Sequence, residues 1–214
     1  MKIKATQNSL DLVREIISTG VSTFHHHYHI LYDIAKTINK DEINYVEIGC
    51  YAGGSACLML QRKNTNVVSI DLGEPVSEED VRSNVSKNNI HNNKFSYIKG
   101  NSQIQETKER LKSVMNDYKS KEIDILFIDG DHSSVSVNTD FNLYKDLISV
   151  GGYIVFDDYS GTADSPEVNG AVNDITSNLI NYEVIGTIDN TLGAHPKELL
   201  DGNCFIIKKI SNNE

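Results

Sequence analysis

The sequence predicts one doubly wound α/β domain, and three observations point to it. Short apolar runs that read as strands alternate along the chain with segments of helical period. Those runs are apolar at nearly every position rather than at alternate ones, as central parallel strands are when helices cover both faces of a sheet. At 214 residues the chain suits a single domain with a sizeable core. No repeat, low-complexity linker or composition break divides residues 1–214.

Taken in order, residues 1–40 are expected to be a helical segment that contributes to a ligand pocket. Its clearest signal is the stripe Ile30, Leu31, Ile34, Ala35 and Ile38. The strands are read at Tyr45–Ile48, Asn66–Ile70, Phe95–Lys99, Ile123–Ile128 and Gly152–Phe156. One helix is expected to begin near Gly54. Another starts at Ser77, where the acids Glu78, Glu79 and Asp80 suit the positive end of a helix dipole. Val137, Phe141, Tyr144 and Ile148 recur at helical spacing and are read as one helix face. A helix over Glu167–Leu179 and strands at Tyr182–Ile188 and Asn203–Lys209 complete the chain, with a loop containing Gly193 and Pro196 between those strands. Strand–helix alternation of this kind implies right-handed crossovers and a mostly parallel sheet.

Composition narrows the class. The N-terminus lacks the apolar core of a signal peptide, and no apolar run reaches the ~20 residues of a membrane span, so a cytoplasmic protein away from membranes is expected. Cys50, Cys57 and Cys204 are too few and too scattered for a disulfide framework or a metal knuckle, and read as small buried residues. The 30 acids against 20 bases give a net charge of −10 with no basic cluster, which argues against a nucleic-acid partner. The partners expected are a small molecule and, beyond it, at most further copies of the chain in a homo-oligomer.

Ligands of open α/β sheets bind beyond the carboxyl ends of the strands, near the reversal of strand order. The first strand ends in Glu47-Ile48-Gly49-Cys50-Tyr51-Ala52-Gly53-Gly54-Ser55. Glycines there permit a tight turn and a close approach to the backbone. The spacing is not the G-x-G-x-x-G of a dinucleotide binder, and Glu47 would repel a pyrophosphate. A ligand carrying an ammonium and a sulfonium suits it better, and S-adenosylmethionine carries both. Asp71 ends the second strand, where an acid can accept from ribose hydroxyls. Ser102 and Gln103 follow the third, placed to meet an adenine edge. The cofactor-binding set expected is therefore Glu47, Gly49, Tyr51, Gly53, Ser55, Asp71, Ser102, Gln103 and Asp129.

With Gly100-Asn101-Ser102-Gln103, this run resembles the class I S-adenosylmethionine-dependent methyltransferases related to catechol O-methyltransferase. Phe127-Ile128-Asp129-Gly130-Asp131-His132 and Gly151-Gly152-Tyr153-Ile154-Val155-Phe156-Asp157-Asp158 are similar to the macrocin O-methyltransferase and cephalosporin hydroxylase-like groups. The resemblance covers roughly residues 40–210. It implies a Rossmann-like seven-stranded sheet with helices on both faces and an antiparallel last strand.

Asp129 ends the fourth strand and Asp157-Asp158 the fifth, which places three carboxylates side by side. Hard oxygen donors of this kind suit Mg²⁺, or Ca²⁺ or Mn²⁺, and the related enzymes hold such a metal at matching acids. Asp131 reads as loop structure. His132 is the candidate general base, where the catechol enzymes carry a lysine; a histidine bonding the loop backbone is the alternative. Asp129 and His132 are thus the catalytic pair expected. His25, His26, His27 and His29 form a cluster for which a core, pocket or metal role stays open. The loop Tyr159–Pro166 is expected to lie over the acceptor. The function implied is a metal-dependent O-methyltransferase acting on a sugar, glycoside or other vicinal diol. A hydroxylase-like oxidoreductase and a non-catalytic nucleoside-binding protein are the alternatives.

Overall fold

A computed structural model describes residues 3–22, 28–160, 165–188 and 203–212. Its sheet has seven strands: β1 (Ile43–Ile48), β2 (Thr65–Asp71), β3 (Phe95–Lys99), β4 (Ile123–Ile128), β5 (Ile148–Phe156), β6 (Tyr182–Thr187) and β7 (Phe205–Lys209). They lie in the order β3-β2-β1-β4-β5-β7-β6. The first five strands are mutually parallel, and β7 runs antiparallel to both of its neighbours, β5 and β6. Seven mostly parallel strands with an antiparallel last one is the architecture the sequence predicts.

The helices are α1 (Gln7–Ser18), α2 (His29–Thr37), α3 (Gly54–Met59), α4 (Glu78–Asn88), α5 (Gln105–Asp117), α6 (Ser134–Tyr144) and α7 (Val168–Ser177). They divide between the two faces as strand alternation dictates. Tyr45, Val67, Ile125, Phe127, Tyr153 and Val155 point to one side, where they join Leu31, Ile34, Leu58 and Val81 from α2, α3 and α4. Val46, Val68, Leu126, Ile128, Ile154 and Phe156 point to the other, against Leu111, Phe141, Tyr144 and Val172 from α5, α6 and α7. Two cores flank one sheet, which is why the strands read as continuous apolar runs.

Three local features refine the sequence reading. Ser77 caps α4 by accepting from the Asp80 amide, as its position before three acids suggests. Ile148 does not extend the helix of Val137, Phe141 and Tyr144. A 3₁₀ turn over Lys145–Leu147 intervenes and Ile148 opens β5, four residues ahead of the expected Gly152. All four side chains nevertheless share one core, so the spacing records common burial rather than one helix. α5, which the sequence does not single out, buries only Thr107, Leu111 and Met115 of its 13 residues.

The N-terminal segment is fastened by one acid. Asp33, buried on α2, accepts from the Thr6 amide at 2.9 Å, the Thr6 hydroxyl at 2.8 Å, the Ser9 hydroxyl at 2.5 Å and Lys36 Nζ at 2.6 Å. Its charge is thereby well satisfied inside the fold, and α1 is locked onto α2.

Candidate active site

Strand order reverses across β1, with β2 on one side and β4 on the other. The chain leaves this edge in register. Gly49 N donates to Ile70 O at 2.9 Å, Gly100 N to Asp71 O at 2.9 Å, Asp129 N to Ile48 O at 2.9 Å and Asp157 N to Ile128 O at 3.0 Å. Each loop therefore starts from a fixed point, and a cavity of about 470 Å³ opens above them.

Gly49 is required by this packing. Its φ is +80°, and a Cβ there would stand 1.9 Å from the Asp129 carbonyl oxygen. The bare backbone lets the β1 and β4 loops touch. Tyr51, at φ +45°, also takes the left-handed conformation that side chains seldom adopt, and its ring is exposed at the mouth of the cavity.

Of the expected cofactor residues, Gly49, Tyr51, Asp71, Ser102, Gln103 and Asp129 line this cavity. Glu47, Gly53 and Ser55 lie beneath or behind its wall. Glu47 is fully buried and accepts from the Tyr45 hydroxyl at 2.8 Å, the Ser55 hydroxyl at 2.6 Å and the Ser69 hydroxyl at 2.6 Å. Burial pushes its carboxyl up to about 7, while those three hydroxyls favour the charged form. It therefore underpins the glycine turn from inside rather than offering a free oxygen to a ligand. Gly53, at φ +81°, starts α3. Asp71 is likewise committed to its own loops. One oxygen accepts from the amides of Cys50 at 2.8 Å and Tyr51 at 3.3 Å, the other from the Gly73 amide at 2.7 Å and the Tyr97 hydroxyl at 3.3 Å.

The second half of the site is acidic. Asp129, His132 and Asp158 each offer a ligand atom, and these atoms all lie within 4.8 Å of one another. His132 Nε2 stands 3.2 Å from Asp158 Oδ2. Asp158 reaches this point through a φ of +55°, the kind of backbone outlier that collects at functional sites. Burial and the charge of Asp157 push the Asp129 carboxyl well above the usual range, opposed by a hydrogen bond from Tyr28 and aided by Asp158. Asp157 is thus an electrostatic neighbour of Asp129 but falls outside the close trio. Its Oδ1 instead receives the buried Cys204 thiol at 3.4 Å. Of the expected metal residues, Asp129 and Asp158 lie in this trio with His132, and Asp157 stands beside Asp129 with its Oδ1 accepting from the Cys204 thiol.

Tyr28 is the residue that sequence reasoning missed. Its hydroxyl donates to Asp129 Oδ2 at 2.6 Å, its ring meets Phe127 edge-on at 5.4 Å, and it lines the cavity. The available signal was its place three residues before Leu31, which continues the buried stripe of α2. His29 is buried at the start of α2, whereas His25, His26 and His27 lie outside the described residues. So do 161–164 of the loop expected over the acceptor and the loop with Gly193 and Pro196. Pro166 and Glu167 beyond the first of these border a second cavity of about 460 Å³ together with Asp131, His132 and Ser133. Glu167 accepts from the Ser134 amide at 2.8 Å and so ties this segment to the start of α6.

Residues 46–159, more than half of the chain, match the family model described as a methyltransferase domain. The chain belongs to that family. It is 43% identical over 180 residues to an uncharacterized protein of Acanthamoeba polyphaga mimivirus, spanning 80% of this chain and 79% of the relative. Among solved structures, the O-methyltransferase TomG from Streptomyces achromogenes, in complex with S-adenosylmethionine, is 12% identical with a TM-score of 0.62 over 97% of this methyltransferase and 91% of TomG. An rRNA methylase from Streptococcus thermophilus gives 11% and 0.57 over 89% and 100% of the two chains. The mycinamycin-pathway methyltransferase MycE, solved with Mg, S-adenosylhomocysteine and mycinamycin VI, gives 19% and 0.62 over 98% of this chain and 56% of its own. Identities this low speak for the fold. The family model and the fold together make the protein a class I S-adenosylmethionine-dependent methyltransferase.

Proposed function

We propose that this methyltransferase transfers a methyl group to a hydroxyl of a small molecule with neighbouring hydroxyls, assisted by a divalent cation at Asp129 and Asp158. The observation that carries the reading is the trio of Asp129, His132 and Asp158 at the wall of the same cavity that Gly49, Asp71 and Ser102 line. Crowded carboxylates that raise one another's pKa favour a cation between them, and oxygen donors suit Mg²⁺ or Mn²⁺. MycE is a fold neighbour whose structure contains Mg and a macrolide glycoside. Neither cavity has a lysine or arginine among its described lining residues, which favours a small neutral acceptor over a phosphate backbone. The second cavity beside His132 offers carboxyl, hydroxyl and imidazole groups, a lining suited to a sugar.

In this reading the donor lies across the Gly49–Tyr51 turn, with its ribose toward Asp71 and its adenine toward Ser102 and Gln103. Glu47 supports this turn from beneath through the Ser55 and Ser69 hydroxyls. A bound divalent cation would lower the pKa of an acceptor hydroxyl and fix its direction. Asp129, steadied by Tyr28, and Asp158 supply its carboxylate ligands. His132, oriented by Asp158 through Nε2, takes the hydroxyl proton at Nδ1. Pro166 and Glu167 border the acceptor side. No helix among the described residues is long and apolar enough to cross a membrane, and three buried free thiols suit a reducing cytoplasm.

The test is calorimetry with S-adenosylmethionine and S-adenosylhomocysteine, each with and without Mn²⁺. Both nucleosides are expected to bind, and Mn²⁺ to bind in its own right. Binding of neither nucleoside sinks the donor reading, and absent Mn²⁺ heat sinks the cation. A second reading, favoured by the closeness of His132 to both carboxylates, makes the imidazole a ligand. His132→Ala then loses Mn²⁺ affinity, whereas a base role costs only turnover.

A further inference from the structure

Tyr97 stands in the middle of β3, opposite Ser69 of β2, and its ring joins the core on the side of α3 and α4. It is 7% exposed, and a phenylalanine would fill the same space. A buried tyrosine hydroxyl needs a partner. That partner is Asp71, whose Oδ1 accepts from it at 3.3 Å.

With this bond the protein fills Asp71 by itself. A carboxylate offers about four lone-pair positions on its two oxygens. The Gly73 amide at 2.7 Å and the Tyr97 hydroxyl take Oδ1, while the Cys50 amide at 2.8 Å and the Tyr51 amide at 3.3 Å take Oδ2. Yet Asp71 lines the main cavity, where a ribose hydroxyl would have to donate to it. Such a hydroxyl enters only if one of the four protein groups withdraws. The three amides belong to the turns after β1 and β2, in which Gly49 and Gly73 hold left-handed backbone at φ +80° and +77°. None of them can leave without rebuilding a turn. The Tyr97 hydroxyl is held at 3.3 Å, long beside the about 2.7–2.8 Å usual for O–H···O bonds. Rotation about one C–O bond turns its proton away while the ring stays in the core.

We infer that the Tyr97 hydroxyl is a placeholder on Asp71, satisfying the carboxylate before the methyl donor binds and yielding its position to a hydroxyl of the donor's ribose. Tyr97 is thus a positioning residue that tempers donor affinity, because binding must break a bond the protein already has. This rests on the donor reading given under Proposed function. It adds a residue behind the cavity wall that sets how tightly the ribose is held.

The test measures dissociation constants of S-adenosylhomocysteine and of its 2′-deoxy and 3′-deoxy forms by calorimetry, for the unaltered chain and Tyr97→Phe. With the placeholder gone, Tyr97→Phe is expected to bind S-adenosylhomocysteine about three- to tenfold tighter. At least one deoxy form, lacking the hydroxyl that takes the freed lone pair, is expected to gain nothing. A tyrosine that merely steadied Asp71 would give the opposite sign, with all three nucleosides bound more weakly by the variant. Unchanged or weaker binding of S-adenosylhomocysteine in Tyr97→Phe therefore overturns the inference, and so does an equal gain for all three nucleosides. Should Tyr97→Phe not fold, Tyr97→Leu removes the same hydroxyl and carries the same expectations. If the unaltered chain binds no nucleoside, the donor reading itself has failed. Binding by the unaltered chain with no gain in the variant removes only the role of Tyr97.

Discussion

The carboxyl ends of β1 and β2 and those of β4 and β5 both carry acids, yet the two pairs of strands treat them in opposite ways. Glu47 and Asp71 are surrounded by donors. Three hydroxyls reach the first, and three amides and a tyrosine the second. Asp129, Asp157 and Asp158 stand beside one another, and the charges of the latter two push Asp129 upward. The first pair is finished by the protein itself and serves to hold a turn in shape. The second trio carries mutual repulsion, which the proposed cation would relieve. Mutual charge, rather than the presence of acids, separates the two pairs of strand ends.

That contrast can be broken most decisively at the joint between the halves. Gly49→Ala would place a Cβ 1.9 Å from the Asp129 carbonyl at φ +80°. The left-handed backbone costs about 1–2 kcal/mol and overpacking about 1–3 kcal/mol more. A large fall in melting temperature with loss of S-adenosylhomocysteine binding is expected, and an unchanged melting curve would show that the two loops do not touch.

Glu47 tests the finished half through pH. Its carboxyl sits at about 7 in the fold against an ordinary 4.5, so the folded state holds the proton more tightly than the unfolded one. The contribution of Glu47 to stability is then greatest below pH 4.5 and declines as pH rises toward 7, by about 3 kcal/mol in all. Asp140 contributes a decline of the same sign between 3.8 and about 6. Glu47→Gln should flatten the upper part of the slope in denaturant titrations at pH 5 and 8. A slope equal to that of the unaltered chain would mean that Glu47 is charged throughout.

For the acidic half, Asp129→Asn keeps a group that accepts from Tyr28 while removing one of the mutually repelling charges. Melting temperature is expected to rise as Mn²⁺ affinity falls about 100-fold. A drop in both would place Asp129 with the satisfied acids instead. The smallest effect is expected from Tyr28→Phe, which removes only the 2.6 Å hydrogen bond to Asp129. Mn²⁺ affinity should fall about tenfold, the lower end of what outer partners of metal ligands contribute, with S-adenosylhomocysteine affinity unmoved. Equal losses for both ligands would recast Tyr28 as a structural prop.

Sequence alone determined the strands, their mostly parallel order, and which loops meet at the site. Those follow from local rules: the apolar runs, the glycine turn after β1, and acids placed at the ends of strands that a parallel sheet must bring to one edge. It also marked Asp129, Asp157 and Asp158, because they follow the ends of β4 and β5, and His132 in the loop after Asp129. Tertiary structure decided how each acid is used. Tyr45, Ser55 and Ser69 close over Glu47, Asp157 meets Cys204 just ahead of β7 and 47 residues later, and Tyr28, ahead of α2, reaches Asp129 across 101 residues. Ile148 changed element although its spacing fitted a helix. In each case the deciding partner is distant in sequence. A periodic pattern reports that a residue is buried, while the donor, acceptor or strand it is buried against is fixed only when the chain closes on itself.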